Sequence, residues 1–115
     1  MSKTYIPQQG DLIYLNFTPQ KGREQSGRRP ALVLSPKEYN KKTGLTIVCP
    51  ITSQQKNYPF EVTIPKNLPI RGVILADHVK NLDWRERKAT LIKPVPKEIL
   101  QQVSYLVGLL IQPSS

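Results

Sequence analysis

The stretch Lys21–Pro30, KGREQSGRRP, concentrates the groups of this chain best suited to handling phosphate. Lys21, Arg23, Arg28 and Arg29 are cations within one short connection. A guanidinium fork matches a pair of phosphate oxygens, and lysine adds a point charge. Gly22 and Gly27 let the chain bend and let a ligand approach the backbone. Glu24 stands alone among these cations, which hold its carboxylate ionised, so it can accept a proton or orient an arginine. Arg29 opens an apolar, strand-like run, and strand-borne groups are held more rigidly than loop groups. A second candidate, Thr52, ends another strand-like run and opens the polar stretch TSQQK. Its hydroxyl can donate to a nonbridging phosphate oxygen as charge develops there. Taken alone, each feature also has a plain structural reading. Exposed ion pairs contribute only about 0–1 kcal/mol, and a β-branched residue simply favours a strand end.

These groups need a scaffold, and the hydropathy pattern supplies one. Residues 10–17 (GDLIYLNF) alternate, with Ile13, Leu15 and Phe17 on one face and Leu12, Tyr14 and Asn16 on the other. RPALVLS (29–35), LTIVCPIT (45–52), FEVTI (60–64) and GVILADHV (72–79) are further expected strands, and 84–93 begins basic and ends as one. Pro50 has no amide hydrogen and predicts a strand edge or bulge. Residues 36–44 predict a short helical turn or loop, with Ser35 as a candidate N-cap and Gly44 as a stop. From Pro96 the period becomes helical through Ile99, Leu100, Val103, Leu106, Val107, Leu110 and Ile111. Tyr105 and Leu109 widen that stripe beyond what one sheet face needs, so part of the helix is free for an oligomer contact. Five or six short antiparallel strands and one closing helix predict an α+β fold, mainly β: a small twisted sheet or partly open barrel with the helix packed on it.

Bulk properties narrow the partners. The chain has 115 residues, enough for one domain spanning 1–115, with 38% hydrophobic residues and hence a modest core. Seventeen Lys and Arg against eight Asp and Glu give a formal charge of +9, which suits a polyanionic partner such as nucleic acid or an acidic protein segment. Cys49 is the single cysteine, so no intrachain disulfide forms, and it is expected to pack as a small hydrophobe. No secretory leader or membrane-length apolar stretch is read, and a cytoplasmic location is expected. One histidine and one cysteine disfavour a metal cluster and exclude a two-histidine acid–base pair within a chain.

The order and spacing of GDLIYLNF, KGREQSGRRPALVLSPKEYN, VCPITSQQKNYPFEV and GVILADHVKNLDWR resemble the MazF/PemK family of toxin endoribonucleases. The pattern G-x-E-Q-x-G-x-R-P (Gly22, Glu24, Gln25, Gly27, Arg29, Pro30) followed by P-x-T-[ST] (Pro50, Thr52, Ser53) carries the likeness, which runs from about Tyr5 to the final helix. The resemblance implies an SH3-like antiparallel barrel with a C-terminal helix, working as a homodimer. It implies cleavage of single-stranded RNA, commonly mRNA, at short motifs without metal or other cofactor. The attacking group is the RNA's own 2′-hydroxyl, which leaves 2′,3′-cyclic phosphate and 5′-hydroxyl ends. A cognate antitoxin with an acidic, disordered tail covers the active surface.

By matching position, Arg29 and Thr52 are the catalytic pair and Glu24 a residue needed for activity. The proton acceptor stays open between Glu24 and a relay through Arg29, since an arginine alone is a poor base. Expected RNA contacts are Lys21, Arg23, Gln25, Arg28, Ser53, Lys56, Lys80, Arg85 and Arg87. Tyr58 and Trp84 either stack bases or pack inward. His78, where relatives often have glutamine, is expected on a pocket rim. Two other readings remain: a non-cleaving nucleic-acid-binding module, and a gyrase-directed toxin of the same fold. The joint presence of Glu24, Arg29 and Thr52 favours cleavage over both.

Overall fold

The computed structural model describes residues 4–17 and 27–114. Seven strands and two helices follow in the order β1 (Asp11–Asn16), β2 (Arg28–Val33), α1 (Lys37–Thr43), β3 (Leu45–Thr52), β4 (Glu61–Thr63), β5 (Val73–Leu75), β6 (Lys80–Asp83), β7 (Thr90–Pro94) and α2 (Lys97–Ile111). All pairings are antiparallel, in the spatial order β4-β5-β3-β2-β1-β7, with β6 also on β3. Among the described residues the two ends of this order do not pair, so the sheet curls without closing.

Both faces of the central strands are covered. Leu12, Leu32, Cys49 and Ile51 join Val62, Ile74 and Val103 in one core, against which Ile99, Leu106 and Val107 of α2 pack. The alternate residues Ile13, Leu15, Ala31, Val33 and Val48 form a second core, closed by Tyr5, Phe17, Leu82 and Ala89. Period-two alternation sends neighbouring residues to opposite faces, and here both faces are apolar. The inward stripe of α2 ends at Val107; Leu110 and Ile111, expected to continue it, are exposed with Tyr105 and Leu109.

Pro50 lies neither at a sheet edge nor in a bulge. β3 pairs β6 through Leu45–Val48 and β5 through Ile51–Thr52, and Pro50 falls in the gap between those partners while facing Ala31 of β2. A residue without an amide hydrogen is tolerated where one neighbour leaves before the next arrives.

Ser35 does not cap α1 either. Pro36 takes the N-cap position without a side-chain bond. Ser35 Oγ instead donates to Asn40 Oδ1 (2.5 Å) and accepts the Ile47 amide (2.8 Å). Asn40 is fully buried and donates to the carbonyls of Pro7 and Ser35 (2.9 and 3.1 Å), while Trp84 Nε1 donates to its carbonyl (2.8 Å). A buried polar knot satisfied this fully ties the N-terminal segment, α1 and the turn after β6 together. GVILADHV divides: β5 stops at Leu75, and β6 begins only at Lys80.

Cys49 has no exposed surface, and its thiol is pushed up to about 12, first by burial and then by the Asp77 charge. Because the thiolate is the reactive form, the folded protein should resist iodoacetamide at pH 8 and label only after denaturation. Rapid alkylation of the native protein would contradict this packing.

Candidate active site

The site lies where β2 begins and β3 ends. Arg28 and Arg29 are the first residues of β2 and are exposed, before Ala31 turns into the core. Arg29 stands opposite Leu15, and continuing the β2–β3 register (Ala31 with Pro50) sets it across from Thr52. Thr52 Oγ1 accepts the Gln54 amide at 3.2 Å, a side-chain turn that bends the chain out of the sheet. On the far side of β3, Thr52 pairs with Val73.

Gly72, just before Val73, sits at φ +131°, and a Cβ there would lie 2.2 Å from the Thr52 carbonyl oxygen. Only glycine permits this approach.

Around these residues opens a cleft of ≈ 640 Å³ whose lining includes Tyr14, Arg28, Arg29, Thr52, Ser53 and Arg71. Among the described residues, three guanidiniums and no carboxylate line it, so the field they set up favours an anion. The three arginines are not equivalent. Arg28 Nη2 donates to the Lys88 carbonyl and Thr90 Oγ1, both at 2.9 Å, and Nη1 to Asn16 Oδ1 at 3.3 Å. Those bonds tie the start of β2 to the end of β1 and to β7. Among the described residues, no hydrogen bond or ion pair engages Arg29 or Arg71.

A second cleft of ≈ 350 Å³ shares Thr52 and Gln54 with the first and is lined further by Lys56, Tyr58, Glu61, Leu75 and His78. Its wall is shaped by two carboxylates. Glu61 accepts the Lys56 amide at 3.0 Å and the Tyr58 amide at 3.5 Å, which folds the loop after β3 back toward β4. Tyr58 donates its hydroxyl to Asp77 Oδ2. That bond is the main cause holding the Tyr58 phenol above the usual tyrosine range, so it stays a donor. His78 Nε2 lies 3.7 Å from Asp77 Oδ1, a buried oxygen without a hydrogen-bond partner among the described residues.

Arg28, Arg29, Thr52, Ser53, Lys56, Tyr58 and His78 therefore share two adjoining clefts. Three cations expected with them stand elsewhere. Lys80 opens β6, and the Arg85 guanidinium lies 4.9 Å from the centre of the Trp84 ring. Arg87 Nη1 donates to the carbonyls of Asn16 (2.9 Å) and Phe17 (2.6 Å). Trp84 is buried and serves the core; Tyr58 is 45% exposed. Lys21, Arg23, Glu24 and Gln25 lie outside the described residues, and the chain on either side of them meets at the Phe17 amide and Gly27 carbonyl (2.7 Å).

With this geometry established, comparison with known proteins places the chain. The model of the PemK-like, MazF-like toxins of type II toxin–antitoxin systems matches residues 8–111. This chain belongs to that toxin family. It is 48% identical over 111 residues to the endoribonuclease toxin MazF of Escherichia coli K12, covering 96% of this chain and 99% of that protein. It is 35% identical to the E. coli endoribonuclease toxin ChpB, over 83% and 85% of the two chains. Among solved structures, a chain of the MazE–MazF complex (Form-III) from Deinococcus radiodurans superposes with a TM-score of 0.88 at 52% identity, covering 96% of this chain and all of that one.

Within this member of the toxin family, Tyr14, Glu61, Arg71 and Asp77 join the site without having been singled out from sequence. Asp77 interrupts an apolar run, which was a readable signal; Arg71 is marked only by the tertiary contact between Gly72 and Thr52. Gly72→Ala should cost roughly 1–3 kcal/mol, because backbone, not a flexible side chain, blocks the added methyl. Denaturant unfolding checks this; wild-type stability in G72A would contradict the close approach to Thr52.

Proposed function

We propose that this chain is a cytoplasmic endoribonuclease toxin that cuts single-stranded mRNA at short motifs without a metal. Its 2′,3′-cyclic phosphate and 5′-hydroxyl products come from attack by the neighbouring 2′-hydroxyl. The observation that carries this reading is the Arg29–Thr52 pair facing one cation-lined cleft in a member of this toxin family. The relatives' names, endoribonuclease MazF, PemK and ChpB, support the reaction class.

In this mechanism the 2′-oxygen bonds to phosphorus while the bond from phosphorus to the 5′-oxygen breaks. Two nonbridging oxygens gain charge in between. Arg29 offers them a guanidinium fork fixed on a strand. Thr52 Oγ1 already accepts the Gln54 amide, so its own hydrogen is left to donate to the phosphate. The 2′ proton passes to Glu24 or is relayed through an Arg29 that Glu24 orients, and the departing 5′-oxygen takes up a proton from solvent water. Lys56, Tyr58 and His78 line the neighbouring cleft, where the base next to the reacting phosphate is read by stacking and edge contacts.

A cognate antitoxin is the inhibitor, its acidic tail covering the cationic cleft. The MazE–MazF complex structures among the relatives support that partnership. The protein works as a homodimer, and the exposed end of α2 offers apolar surface for the contact.

The test is incubation with a long unstructured RNA in EDTA, with mapping of the fragment ends. Motif-specific cuts bearing cyclic phosphates are expected, with Arg29→Ala and Thr52→Ala each lowering the rate by about 10²–10³-fold. RNA that is retained in a gel shift yet stays intact would make the protein a binding module. Intact RNA with inhibited gyrase would make it a gyrase-directed toxin.

A further inference from the structure

We propose that Arg71 is a second phosphate-binding residue, gripping the RNA backbone from the wall opposite Arg29; this rests on the endoribonuclease reading above. Of the three arginines lining the cleft, Arg28 is committed to Asn16, Lys88 and Thr90. Arg29 and Arg71 are the two guanidiniums of this cleft that make no hydrogen bond or ion pair among the described residues. They approach from different elements. Arg29 comes from β2 on one side of Thr52, and Arg71 from the segment leading into β5 on the other. The strands β2, β3 and β5 are consecutive neighbours, so Arg29 and Val73 stand about two strand spacings apart, roughly 10 Å, with Arg71 two residues before Val73. Two extended arginine side chains close that distance around a phosphate held over Thr52.

The placement of Arg71 is rigid although its side chain is exposed. The residue after it, Gly72, is wedged against the Thr52 carbonyl, and its own carbonyl accepts the Ile64 amide at 3.0 Å. The Arg71 backbone is thereby registered to Thr52 itself, which is how a positioned ligand contact differs from a roaming surface cation. Among the described residues, no carboxylate lining the cleft competes for its guanidinium. Arg71 binds substrate and transition state alike, since it grips the strand and leaves the developing charge to Arg29 and Thr52.

The experiment uses an RNA oligonucleotide carrying the mapped cut motif with a single 2′-deoxy nucleotide at the cut, which removes the attacking hydroxyl and isolates binding. Its affinity is measured across a salt series for wild type, Arg71→Gln and Arg71→Lys, beside steady-state cleavage of the all-ribose strand. Arg71→Gln should weaken binding about tenfold or more and flatten the log–log salt slope by about 0.7, the share of one phosphate contact on a single strand. It should raise KM with kcat little changed. Arg71→Lys should keep the slope, because the charge remains. Wild-type affinity and slope in an Arg71→Gln protein that melts like wild type would overturn the assignment and leave the nuclease reading standing. Wild-type protein that neither cuts nor binds would sink the reading of the site, and Arg71 with it.

Discussion

One strand sets the geometry on which everything else depends. β3 keeps β2 along one side and exchanges β6 for β5 along the other, and Pro50 occupies the changeover. A proline in mid-sheet would normally forfeit a ladder bond. Here it marks the point where no partner asks for one. The strand runs on two residues further, and Thr52 emerges with the arginine-bearing strand on one flank and the backbone of Gly72 on the other. The hydroxyl and the guanidinium line one cleft because a strand end and a strand start were brought to the same level of the sheet.

Charge is distributed around this framework by task. Arg28 and Arg87 hold backbone and side-chain oxygens of Asn16 and Phe17, closing the base from which the chain leaves toward residue 18. Glu61 and Asp77 fold the loop after β3 into a wall. Glu61 and Asp77 are thus engaged by structure, and among the described residues the cleft at Thr52 is lined by cations without a carboxylate. That arrangement suits a reaction in which phosphate oxygens gain charge and every fixed donor is worth more than it would be in water.

Much of this was legible from the residues. Alternation located β1, β3 and β4, a β-rich apolar run located β2, and the change to helical period at Pro96 located α2. The grouping of Arg29 and Thr52 followed from a motif pattern, which the register then turned into a spatial relation. Other features leave little trace. β6 reads KNLD, too polar and short for periodicity, and exists because β3 offers it backbone partners. Trp84 looks like a stacking platform until the buried Asn40 carbonyl claims its indole. Arg87 looks like a phosphate ligand until two carbonyls occupy it. Arg71 carries no pattern of its own; the contact between Gly72 and Thr52 gives it meaning, and such contacts are tertiary.

The most direct test of the account is the structure of the protein bound to an RNA strand with one 2′-deoxy nucleotide at its cut site. The account predicts a phosphate within about 2.7–3.2 Å of both the Arg29 guanidinium and the Thr52 hydroxyl, with the adjoining base in the cleft beside Tyr58 and His78. A strand lying instead along the lysines of α1, with the cleft at Thr52 left empty, would contradict it.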